Sequence, residues 1–223
     1  MPSYAPRENL TREAVITATR TLIIDEGLEA VSLRRLGSLL GVTAPALYAY
    51  VQDKNDLLSA VATAEIERLM DRLAAAAEHG DGDGDTLSRV RAQFRAYVDF
   101  ACENPTLFRT MFLHPPEVPH TTIASVRETP AMKMPLESIV EGIEQGLIKD
   151  LDPAFVALIM WTAAHGLAHV LLLGVPFDGE LGEALTEQVL DVVLAGLRPD
   201  AATALTAPAI AQPRSSTRSA DSP

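Results

Sequence analysis

Apolar residues recur along this chain at every third or fourth position, and runs that alternate apolar with polar are scarce, so the pattern predicts helices throughout. Val15, Ala18, Leu22 and Ile23 form the inner stripe of a first helix that Thr11 caps and Gly27 stops, near Glu26. Leu28 and Val31 are expected to tuck beneath it. Ser32 caps a second, short helix in which Leu33, Leu36 and Leu40 share one face, and Gly41 follows where a left-handed residue ends a helix cheaply. Thr43 is placed to cap a third helix with Pro45 in its first turn and Leu47 and Val51 as its inner face. Asp53, with Asp56 three residues on as an approximate capping box, opens a fourth helix from Lys54 through Val61, Ile66, Leu69 and Leu73 to the alanines at 74–77.

The run HGDGDGD at 79–85 breaks that helix. It resembles the start of a calcium loop, but Thr86 stands where glycine is needed and Ala92 where the bidentate Glu belongs, so it reads as a flexible acidic turn. Leu87, Val90, Phe94, Tyr97 and Ala101 step by three and four along a fifth helix, and Asn104-Pro105 restarts the chain into a sixth with Leu107, Phe108, Met111 and Phe112. His114 to Pro130 holds four prolines and little periodicity. Such a long irregular connection is a functional lid or disordered. Leu136, Ile139, Ile143 and Leu147 mark a seventh helix, and Leu181, Leu185, Val189, Val192 and Val193 give a ninth one apolar stripe. Between them, Pro153 to Phe177 carries no Asp, Glu, Lys or Arg. By length it could span a membrane. Its acidic flanks, Asp152 and Asp178, and the histidines inside it favour instead a helix that meets its own domain on one side and a partner on the other.

Residues 33–51 therefore read as two short helices around a tight turn. On the third helix Ala44, Pro45, Ala46, Tyr48, Ala49 and Tyr50 point away from the inner face. Small residues with two tyrosines suit a surface that lies close against something, and a helix–turn–helix lays its second helix in the DNA major groove. Gly41-Val42, Leu47-Tyr48 followed by Tyr50, and Lys54 with Leu57-Leu58 make residues 11–58 resemble the N-terminal domain of the TetR family of bacterial transcriptional regulators. Val51 departs from the family's usual Phe, and Ala49 stands where a larger or polar residue is common, which leaves fewer hydrogen bonds for reading bases.

The resemblance implies an all-α fold: a helix-turn-helix DNA-binding domain over 1–58, a ligand-binding and dimerisation bundle over 59–198 reached through the fourth helix, and a disordered tail over 199–223. It implies a regulator, in most relatives a repressor, that binds a palindromic double-stranded DNA operator as a homodimer and answers to a small-molecule effector. The expected DNA contacts are Ser32, Arg34, Thr43, Ala44, Pro45, Ala46, Tyr48, Tyr50 and Lys54. Arg34 and Arg35 read equally as a solvated face and as backbone contacts. Helices about 154–174 and 180–197 would form the dimer interface.

Charge has to be located before it can be weighed. The net charge is −12, yet over residues 1–58 six Lys or Arg face seven acids, which leaves −1 there and −11 beyond. Phosphate binding follows the local field, so the acidic body should be held away from the duplex and few counterions displaced. The single Cys102 cannot form an intramolecular disulfide, and residues 1–10 do not read as a signal peptide, so a reducing cytoplasm is expected.

In the eighth helix Trp161, His165 and His169 repeat every four residues with Gly166 alongside, a Trp-x-x-x-His-Gly pattern that resembles one C-terminal subgroup of the family. Three readings stand: histidines satisfied in a core or interface, the wall of a ligand pocket, or a metal pair. No Cys or acid in the helix completes a zinc site, so no metal and no cofactor is expected. The pocket reading takes in Phe94, Phe108, Met111, Met132, Trp161 and His165. Nothing has the order of a Ser-His-Asp set, paired carboxylates or a phosphate-binding glycine loop, so the chain is not expected to be an enzyme. The alternative to a regulator is a helical small-molecule-binding protein whose head has lost DNA binding.

Overall fold

The computed structural model describes residues 10–78, 85–114, 130–173 and 179–202. Among them are nine α-helices and no strand. The head consists of α1 (Arg12–Glu26), α2 (Leu33–Leu40) and α3 (Ala44–Leu47), and α4 (Lys54–Glu78) leads out of it. The body adds α5 (Thr86–Glu103), α6 (Pro105–Leu113), α7 (Pro130–Glu144), α8 (Pro153–Leu171) and α9 (Gly179–Leu197).

The helix ends are where the capping residues put them. Thr11 accepts from the Ala14 amide and Ser32 from that of Arg35, each satisfying an amide that the first turn cannot. Gly27 (φ 87°) and Gly41 (φ 68°) take up the positive φ that closes α1 and α2. Thr43 stands at the start of α3, but its hydroxyl makes no capping bond. The third helix is also shorter than its apolar spacing implies: it ends at Leu47, and Val51 reaches the core from the turn that follows.

Two apolar cores result. In the head, Val15, Leu22, Ile23, Val31, Leu36, Leu47 and Val51 close over Leu57, Leu58 and Val61 of α4. In the body, Leu69 and Leu73, two turns further along the same helix, join Phe94, Tyr97, Phe108, Met111, Ile139, Val156, Leu167 and Leu190. Each fully buried leucine contributes on the order of 2 kcal/mol. The two cores meet at α6, where Leu107 lies in the head core and its neighbour Phe108 in the body core.

Three expectations need correction. Ile148, beyond the turn at Gly146, fills the place expected of Leu147, because α7 ends at Glu144. Pro135 lies inside α7, which begins earlier than the apolar stripe suggests. On α9 the buried stripe is Thr186, Leu190, Leu194 and Leu197, while Val192 is 65% exposed. That helix is apolar on two sides, and the ion pairs of Arg91 with Asp191 and Arg95 with Glu187 turn one of them toward α5. α8 is long and apolar enough to cross a membrane by length and composition. It buries Ala154, Val156, Ala157, Met160, Ala164, Leu167 and Ala168 in the body and leaves Val170 exposed, as is Leu173 in the turn that follows. The acidic turn at 79–84, the connection at 115–129 and most of the expected tail lie outside the described residues. Asp85 caps α5 by accepting from the Ser88 amide.

Gly37 tests the head's geometry. A Cβ there would stand 2.8 Å from the Val42 carbonyl oxygen and 3.2 Å from the Ala44 amide, both backbone atoms. Gly37→Ala, which in an exposed helix would gain about 1 kcal/mol of propensity, is therefore expected to lower the melting temperature of the head. A thermal melt that rises would contradict the close approach of α2 to the start of α3.

Candidate nucleic-acid interface and a polar relay in the body

Ion pairs inside the head decide which of its cations remain for an outside anion. The Arg12 guanidinium donates to Asp56 at 2.9 Å, Arg20 donates to Glu65 at 2.8 Å, and Arg35 makes a two-pronged pair with Glu26. The hydrogen bond from Arg35 holds the Glu26 carboxyl below its ordinary value. Arg34 and Lys54 are exposed and, among the described residues, in no ion pair. Of the neighbouring arginines, it is thus Arg34 that stays available.

Around α3 the exposed residues are Thr43, Pro45, Ala46, Tyr48 and Ala49, with Tyr48 59% exposed. Ala44 is half-buried, and Tyr50 packs against the head core. Two tyrosines two positions apart on a turn of helix cannot share a face, and here one stands out while the other leans in. Ser32 is exposed with its oxygen spent on the Arg35 amide. Lys54 begins α4, where Asp53 accepts from the Asp56 amide at 2.9 Å and Asp56 accepts from the Gln52 amide at 2.7 Å. The exposed Lys54 side chain at this helix N-terminus is what the corner offers an anion.

In the body, Trp161, His165 and His169 form a ladder of rings on α8, Trp161 stacked on His165 at 5.1 Å and His165 4.7 Å from His169. Tyr97 of α5 ties the ladder to the core. The Trp161 indole donates to the Tyr97 oxygen at 3.2 Å, and that hydroxyl lies 2.8 Å from Nδ1 of His165. An indole N–H can only donate, so Tyr97 accepts from Trp161, and the same hydroxyl shares a hydrogen bond with Nδ1 of His165. Burial, and then the neighbouring His169, push its pKa down, while burial pushes that of the Tyr97 phenol up. Phe112 and Phe108 of α6 stand over the imidazole at 4.4 and 5.5 Å.

Of the residues expected to line a pocket, Phe108, Trp161 and His165 come together, and Phe94 and Met111 are buried in the same core. The Met132 side chain lies outside the described residues. Gly166 takes no part in this packing, since nothing comes within 4 Å of a Cβ built there. Among the described residues no three metal-ligating side chains gather. Cys102 is exposed, and partial burial together with Asp99 and Glu103 raises its thiol pKa, the reverse of an activated nucleophile.

A family model described as bacterial regulatory proteins, tetR family, matches residues 15–61, and one described as the tetracyclin repressor-like C-terminal domain matches 90–197. The chain belongs to the TetR family. It is a transcriptional regulator with a helix-turn-helix DNA-binding head. Among curated relatives, the HTH-type transcriptional regulator YobS of Bacillus subtilis is 30% identical over 109 residues, 49% of this chain and 55% of that one. The HTH-type transcriptional regulator Rv0681 of Mycobacterium tuberculosis is 24% identical over 188 residues, 84% of this chain and 82% of that one. A solved structure of a protein of unknown function from Rhodococcus sp. RHA1 shares the fold with a TM-score of 0.71 at 24% identity, covering 86% of this chain and 98% of that one. Both curated relatives are named as transcriptional regulators.

In this TetR-family chain, Gly37 and Arg12 carry no functional signal in the sequence, and Tyr97 and Phe112 read there only as apolar helix-face residues. Glycine within a helix and an arginine at its start are ordinary locally. The link from Tyr97 to Trp161 spans 64 residues, which no local pattern reports.

The relay carries a sign. Unfolded His165 protonates near about pH 6.5 and folded His165 lower, so as pH falls through that range the unfolded chain binds more protons and stability drops. Melting temperatures at about pH 7.5 and 5.5 should therefore differ less in His165→Gln than in the wild type. An unchanged difference would count against a neutral, hydrogen-bonded His165.

Proposed function

We propose that this TetR-family regulator is a homodimeric repressor that binds a two-fold symmetric operator through α3 of each subunit and is released by a mostly apolar ligand. The observation that carries the DNA reading is the bare end of α3: Thr43, Pro45, Ala46 and Tyr48 stand exposed beside Lys54 on a head whose other described cations, Arg34 apart, are committed to carboxylates. Ser32, Arg34, Tyr48, Tyr50 and Lys54 would reach phosphates. Thr43, Ala44, Pro45 and Ala46 would lie along base edges, where thymine methyls are the contact such short side chains allow. A protein of this function works where the chromosome is, in the cytoplasm.

The dimer would form through α8 and α9, which expose Val170 and Val192, with Leu173 exposed in the turn after α8. The Trp-x-x-x-His-Gly segment would divide its labour: Trp161 and His165 turn inward to Tyr97, and Gly166 lets a partner helix approach. The ligand would sit among Phe94, Phe108, Met111, Met132, Trp161 and His165. Because Nδ1 of His165 is taken by Tyr97, Nε2 is the imidazole atom left for a ligand, which suits a polar group on an apolar frame. To weaken operator affinity a hundredfold, that ligand must favour the released conformation by about 2.7 kcal/mol.

Selection of duplexes from a random pool by the wild-type chain tests the whole reading. Selected sequences should show two symmetric half-sites about one helical turn apart, roughly 34–36 Å. A chain that enriches none is not this regulator. On the selected duplex, Lys54→Ala should weaken binding and shrink the log–log salt slope by about one, and the wild-type slope should be no steeper than about −8. Val192→Glu should leave the subunit folded by circular dichroism, halve the mass seen by light scattering and abolish tight operator binding. A variant still dimeric would place the interface elsewhere.

A further inference from the structure

We infer that Arg12 is a positioning residue for base reading, acting through Asp56 and the Tyr50 carbonyl rather than by touching DNA. The inference rests on α3 being the reading element. α3 is four residues long and cannot hold its own direction. Its leading end is set by the close approach of Gly37 to Val42 and Ala44. Its trailing end is set by a ring of polar bonds. Arg12 Nε donates to the Tyr50 carbonyl at 3.1 Å, and Nη2 donates to Asp56 Oδ1 at 2.9 Å. The other oxygen, Asp56 Oδ2, accepts from the Gln52 amide at 2.7 Å. One guanidinium and one carboxylate thus fasten the segment between α3 and α4 at residues 50, 52 and 56, and anchor it to the first residue of α1.

The Arg12 carbonyl and carboxylate partners point to a clamp for a second reason. Its charge is matched by Asp56, so it adds little net field for a phosphate. Tyr50 leans into the core beside it while Tyr48 stands out, so a shift of the clamped carbonyl would re-aim the whole exposed face.

The test uses the full chain, a duplex that the wild type has selected, a mixed-sequence duplex of equal length, and a salt titration on each. A clamp predicts that Arg12→Ala and Asp56→Asn each reduce the preference for the selected duplex about tenfold, the scale of losing a charge-assisted hydrogen bond. Binding to the mixed duplex and both salt slopes should hold, and the double variant should be no worse than either single one. Asp56→Asn is the decisive arm, because removing a negative charge beside DNA would tighten binding if only the field mattered. Arg12→Lys, which keeps the charge but not the second bond to the Tyr50 carbonyl, should recover part of the preference. Tighter binding by Asp56→Asn, a slope smaller by about one in Arg12→Ala, or an unchanged preference in both variants overturns the inference. Equal loss on both duplexes with a lowered melting temperature would make the pair a prop of the head alone, and overturns it too. A wild type that selects no duplex removes the reading surface itself, which is a different failure from variants that behave like a selective wild type.

Discussion

One 25-residue helix belongs to both hydrophobic cores, and the arrangement of everything else follows from that. Leu57, Leu58 and Val61 close the head, and Leu69 and Leu73 enter the body. Between them Glu65, 1% exposed, takes Arg20 of α1 and Arg68 of its own helix on a single oxygen and leaves the other oxygen buried with no partner among the described residues. A buried carboxylate of this kind adds little stability, and it strongly penalises any arrangement in which Arg20 is lost. The head is therefore fixed to α4 in one orientation by a polar contact, where leucines alone would tolerate sliding.

The second tie between head and body is α6. Leu107 sits in the head core, Phe108 and Phe112 cover the imidazole of His165, and Arg109 donates to the Leu172 carbonyl at the end of α8 at 2.7 Å. This nine-residue helix thus places a side chain in one core and its neighbour in the other. Around His165 it packs alongside Tyr97 of α5. Burial among those rings disfavours a charged imidazole, because the charge would have to be desolvated.

An acidic protein that binds DNA is less odd once its charges are traced. Three arginines of the head are held internally: Glu26 holds Arg35, Asp56 holds Arg12, and Glu65 of α4 holds Arg20. The first two pairs lie at the surface, where such pairs contribute little to stability. Their effect is to choose which cations stay free and to orient the backbone between α3 and α4. Direction is what a short recognition element lacks, and a hydrogen-bonded guanidinium supplies it at the place where helix propensity cannot.

The caps at Thr11, Ser32 and Asp53, the stops at Gly27 and Gly41 and the head's apolar stripe were all legible in the linear chain, because capping and amphipathic periodicity are local properties. So was the exposed character of the third helix. What the chain alone left open was decided by contacts between distant segments. Whether Arg34 or Arg35 is spent depends on Glu26 reaching back from α1, and which face of α9 turns inward depends on two arginines of α5. The union of Tyr97, Trp161 and His165 depends on α5 and α8 lying side by side. Local spacing determines where a helix begins and which sides are apolar; only packing determines which of those sides is used, and that choice gives each polar side chain its partner.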